Sequence, residues 1–150
     1  KDYPEGEFSM KGLVAMLSKT FPNRGIDIGN RIYALPENHT VPYLNEWEWI
    51  ATPGHTPGHV SFYNRKKGIL IAGDAVVTVK QEALFAVLMQ RYSLNGPPAY
   101  FTPDEKEAKE SIVKLYQLPI HYLVTGHGPV IKGQDFREKD LSQLLKGYDG

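Results

Sequence analysis

Three apolar runs in this chain each end in a tight turn that carries one residue able to hold a metal. "EWEWIAT" runs into "PGH" and delivers His55, "ILIA" runs into "GD" and delivers Asp74, and "HYLV" runs into "TGHG" and delivers His127. Each run reads as a strand. The first alternates Trp47, Trp49 and Ala51 against Glu46, Glu48 and Ile50. The second is continuously apolar over Ile69, Leu70, Ile71 and Ala72, which suits a central strand covered on both faces. Glycine beside each residue lets the backbone turn sharply and approach a site closely. Loops at one edge of a sheet converge although they are far apart in sequence. A histidine, a carboxylate and a second histidine make a recurrent metal set. The side-chain tips of His55, Asp74 and His127 are therefore predicted to lie within about 3–6 Å of one another.

The first turn holds a second histidine, His59, in "ATPGHTPGHVSFY". Two histidines at this spacing would share one face of a helix. Pro53-Gly54 and Pro57-Gly58 exclude the helix. The two imidazoles thus take different tasks. His55 is the expected ligand, and His59 packs inside, bonds backbone and steadies the loop that aims His55. Plainer roles stand beside these: His55 donating to a backbone carbonyl, Asp74 as a cap or turn residue, His127 in a surface turn. His39 and His121 read as surface or rim residues.

Elsewhere the chain alternates helices with strands, which gives an α/β or α+β class. Ser9 can cap a helix over Met10 to Phe21. "RIYAL" reads as a strand, and "HVSFY" and "ILIAGD" form a hairpin around "NRKKG". The apolar stretch from Ala83 to Met89 is either core or a lid, and Tyr92, Tyr100 and Phe101 line a pocket or fill the core. "TPDEKEAKESIVKLYQL" has Thr102 as cap, Pro103 at the first helical position and Glu105 closing a capping box. Asp135 caps a closing helix that Gly147 stops. At 150 residues a single domain over 1–150 is expected. Seventeen basic and seventeen acidic residues cancel, so there is no basic field for nucleic acid and no polybasic arm for a membrane. Cysteine is absent, which removes thiolate ligands and fits the cytoplasm.

"TPGHTPGH", "IAGD" and "LVTGHGP", in this order from about Ile32 to Val130, resemble the later ligand motifs of the metallo-β-lactamase-fold hydrolases. The resemblance implies a four-layer αββα sandwich that holds one or two metals, usually zinc and sometimes iron or manganese, at one edge. It implies that His55 is a ligand of the first metal, that Asp74 bridges the two, and that His127 is a ligand of the second. It further implies a hydrolase that uses a metal-bound hydroxide on an ester, thioester, lactone or similar bond of a small-molecule substrate, with Asp74 in the catalytic set.

The family's defining His-x-His-x-Asp-His motif is absent. The five histidines stand at 39, 55, 59, 121 and 127, and no two are separated by a single residue. The chain opens on Lys1 and lacks the strands of the first sheet. The economical reading is a truncated C-terminal portion of the fold, incomplete for catalysis alone. Its partner would be the missing N-terminal portion or a second copy. The absence of cysteine argues against the subgroup that uses a Cys ligand at Asp74's place, and Ala75-Val76-Val77-Thr78 lacks the tyrosine of the lactonase subgroup. A non-catalytic half-fold that binds a partner is the alternative, and a metal-free α/β domain is a third reading.

Overall fold

The structure, a computed structural model, describes residues 29–79, 92–96, 102–138 and 145. A 3₁₀ turn over Gly29–Arg31 leads into an irregular segment. Strands β1 (Trp47–Ala51), β2 (Val60–Asn64) and β3 (Ile69–Gly73) follow as an antiparallel meander. β4 (Val77–Val79) and β5 (Tyr92–Asn95) pair as a separate two-stranded sheet. Helix α1 (Glu105–Tyr116), β6 (Tyr122–Thr125), β7 (Ile131–Lys132) and helix α2 (Gly133–Glu138) complete the described chain. The main sheet has the order β1-β2-β3-β6-β7. β1 and β3 both run against β2, and β6 runs parallel to β3. The C-terminal ends of β1, β3 and β6 therefore share one edge, where the three turns of interest emerge.

The core lies between one face of this sheet and α1. Tyr63, Leu70, Ala72 and Leu123 are fully buried on that face, with Ile50 beside them. They meet Ala108, Ile112 and Leu115, which recur at the spacing of one helical face. Tyr116 and Phe136 join α1 to α2 with their rings 5.3 Å apart. The opposite face carries Trp47, Trp49, Phe62, Ile69, Ile71, Val124 and Tyr122, as the strand register requires. Ile71 keeps 37% of its surface exposed and Tyr122 50%.

Several local expectations are corrected. β3 is central, but it is sealed on one face, since Ile71 is exposed between the buried Leu70 and Ala72. The alternation read in β1 holds, with Ile50 buried and the two tryptophans half-buried on the other face. "RIYAL" forms no strand. Ile32 and Tyr33 are largely exposed, and the edge of β1 is met instead by Thr40, which bridges to Glu48. Pro36 follows directly, and Trp49 Nε1 donates to its carbonyl at 2.9 Å. Helix α1 is capped by Asp104 rather than Thr102. Its carboxylate accepts from the Glu107 amide at 2.9 Å, while its own amide donates outward to the Gly54 carbonyl. Asp135 sits inside the first turn of α2, which begins directly at Gly133. The expected helix at 10–21, the 83–89 stretch, Tyr100, Phe101 and Gly147 lie outside the described residues.

Candidate metal centre

Helix α1 holds the turn that carries His55. Ser111 Oγ donates to the Pro53 carbonyl at 2.8 Å, Lys114 Nζ to the Ala51 carbonyl at 3.2 Å, and the Asp104 amide to Gly54. Residues 51–54 are thus fixed from outside the sheet, and His55 projects over its edge. Asp74 follows β3 directly, and the Gly73 carbonyl accepts from the Gly126 amide at 2.8 Å, which draws the β3 and β6 turns together. A methyl group at Gly126 would fall onto Asp74 Oδ1, so only glycine leaves room for the carboxylate.

The three predicted residues converge. Asp74 Oδ2 lies 3.7 Å from His55 Nε2, and Asp74 Oδ1 lies 3.6 Å from His127 Nε2. Both separations are too long for hydrogen bonds. Two ligands about 2.1 Å from one ion, at a tetrahedral angle, stand about 3.4 Å apart. Asp74 Oδ1, the oxygen turned toward His127, is buried without a hydrogen-bond partner, a state that leaves it available to a further bonded species. The donor set fits a metal in the form of two pairs sharing a carboxylate. Among the described residues no three His, Asp or Glu side chains close around a single point.

The other histidines are engaged elsewhere. His39 Nδ1 contacts the Trp49 carbonyl at 3.1 Å, and its ring stacks on Trp49. His121 Nδ1 contacts the Lys67 carbonyl at 3.2 Å, at the start of β6 rather than its end. His59 lies beside the cluster, its ring edge-on to His55 with centroids 6.4 Å apart. Its Nε2 accepts from the Asp74 backbone amide at 3.1 Å. Burial, first, and the neighbouring His55 hold the His59 pKa below the usual histidine value, against an opposing pull from Asp74 and the Thr52 backbone.

Thr78 had no signal in the sequence. Thr78 is buried on β4, and its hydroxyl donates to the Pro129 carbonyl at 2.8 Å. The His127 carbonyl accepts from the Thr78 amide at 3.0 Å and from Thr125 Oγ1 at 2.8 Å. Two threonines on different strands thereby pin the otherwise exposed turn that presents His127. A threonine in a β-rich run looks the same whether or not it does this.

The sequence profile of the metallo-beta-lactamase superfamily matches residues 1–127. The chain belongs to the metallo-β-lactamase superfamily. Its relatives include the probable metallo-hydrolase YflN of Bacillus subtilis, 53% identical over 96% of this chain and 54% of that protein. YqgX of the same organism, also a probable metallo-hydrolase, is 31% identical over 80% of this chain and 54% of that protein. The chain thus spans about half the length of these relatives. The solved structure of TTHA1623 in a di-iron-bound form matches with a TM-score of 0.52 at 21% identity, covering 82% of this chain and 53% of that chain, which shows a shared fold. The superfamily assignment bears out the sandwich class read from the motifs. No helix among the described residues is long and apolar enough to cross a membrane.

Proposed function

We propose that this chain supplies one half of a dinuclear metal centre in a hydrolase, with His55 a ligand of one ion, His127 of the other and Asp74 bridging them. The observation that carries this is the Asp74 carboxylate, which turns one oxygen to each histidine at near-equal distance. Zinc is the expected metal, with iron or manganese as alternatives; the di-iron form of TTHA1623 supports a pair of ions. When bound, such ions supply Lewis acidity and a water of lowered pKa. The chain's own contribution is to hold three donors at fixed positions on one sheet edge and to keep Asp74 half-screened from solvent. The substrate class is an ester, thioester, lactone or similar bond in a small molecule. A hydroxyacylglutathione hydrolase of Chelativorans sp., 35% identical over 52% of this chain, supports the thioester among these.

All five histidines lie among the described residues, and His55 and His127 are the two that face the Asp74 carboxylate. A catalytic zinc usually keeps three protein ligands. The described residues alone thus fall short of such a set, and we infer that the remaining donors come from an N-terminal portion of the fold or a second copy. The half-open sheet face of Trp47, Phe62 and Ile71 gives such a partner an apolar seat. That same face favours the second reading, a half-fold whose role is to bind a partner.

Calorimetric zinc titration of the purified 150-residue chain tests this. Weak binding that Asp74→Ala removes, with ester and thioester hydrolysis near background, is expected. Tight binding of two ions by the chain alone overturns the incompleteness, and binding unchanged in Asp74→Ala overturns the site.

A further inference from the structure

The hydrogen bonds around His59 have only one consistent direction. The Asp74 amide can only donate, so His59 Nε2, 3.1 Å away, must carry a lone pair. The same chain can be read from its other end. The Ala72 carbonyl can only accept, so the Ser61 hydroxyl, 3.1 Å away, spends its one proton there. Ser61 Oγ, 3.0 Å from Thr52 Oγ1, must then accept from Thr52. Thr52 has no proton left for His59 Nδ1, 2.8 Å away, so the ring nitrogen donates to it. Both ends give the same imidazole: Nδ1 protonated, Nε2 bare. Thr52 and Ser61 are fully buried, so water does not compete for either hydroxyl.

The chain of bonds starts at Asp74 and ends at Ala72, two residues back on β3. It closes a loop around Gly73. There the backbone takes φ +56°, and an added Cβ would stand 2.8 Å from His59 Nε2. The end of β3 is thereby stapled on both sides of Gly73.

We propose that Thr52, Ser61 and His59 are positioning residues that set the place of the Asp74 carboxylate, by fixing His59 as an obligate acceptor for the Asp74 amide. The proposal rests on the reading of Asp74 as the shared metal ligand, and it adds that ligand geometry here is decided by a proton order four hydrogen bonds long. Both ring nitrogens of His59 are spent within this chain of bonds, and the Thr52 and Ser61 hydroxyls are fully buried.

The direct test is nitrogen NMR of the purified protein labelled at histidine. The expected spectrum gives His59 a protonated Nδ1 and a bare Nε2, and the reverse tautomer overturns the proposal without any variant being made. Three shape-conserving changes then separate positioning from mere packing. Gln at 59 offers an amide oxygen near the place of Nε2, whereas Asn reaches only the place of Nδ1. His59→Asn and Thr52→Val are expected to speed exchange of the Asp74 amide about 5- to 10-fold and to weaken zinc binding about tenfold or more. His59→Gln is expected to restore both to within about threefold of wild type. Equal effects of Gln and Asn on both readouts overturn the proposal. Zinc affinity unmoved by Asp74→Asn, with the His59 tautomer and amide protection intact, defeats the ligand reading while leaving the staple standing.

Discussion

The two faces of the five-stranded sheet are built from the same strands and differ in everything that matters for stability. On one face Leu70, Ala72 and Leu123 are sealed under Ile112 and Leu115. On the other, Ile71 and Tyr122 keep about a third to a half of their surface in water, flanked by half-buried Trp47, Trp49 and Phe62. A period of two in the sequence produces both faces equally. Only what lies above each one makes it core or surface.

The largest effect that separates the faces is expected at Leu70. Leu70→Ala removes side-chain volume from a site with no exposure and should cost about 2–5 kcal/mol in urea unfolding; a cost under about 1 kcal/mol would mean that α1 does not pack as described. Next comes Tyr63→Phe, which deletes the hydroxyl donating to the Pro119 carbonyl at 2.8 Å. It should cost about 1 kcal/mol, read as a lower thermal midpoint. The smallest effect is expected one residue from Leu70. Ile71→Ala should cost at most about 1 kcal/mol in the isolated chain. The comparison sharpens here: a cost at Ile71 that rivals Leu70, and that grows with protein concentration, shows the open face covered by another copy in solution.

The candidate site was legible because each of its residues follows a strand and stands beside glycine. His55, Asp74 and His127 announce themselves by residue type and by punctuation, and the topology then brings three strand ends to one edge. Asp74 and His127 are far apart in sequence, and the parallel pairing of β3 with β6 joins them. The orientation of β1 was not legible. Alternation distinguishes two faces but cannot say which is covered, and two tryptophans weigh more in a sequence than one isoleucine. The cap of α1 was misplaced because Thr102 and Asp104 each precede a glutamate three positions on. What decides between them is a contact with Gly54 that no local pattern encodes. Thr52, Ser61 and Thr78 left no trace at all, since a hydroxyl in a strand has no signature until its partners are in place.

Gly73 and Gly126 face each other across the bond that joins the β3 and β6 turns. At Gly126 the smallest possible addition, one methyl group, already collides with Asp74, and at Gly73 it crowds His59 in a backbone conformation that side chains rarely adopt. In terms of an alphabet, each of these positions is written with a single letter. A position such as Ile71, with solvent on one side, accepts many. Such a sequence can drift widely over its open face while the edge that holds Asp74 stays spelled as it is.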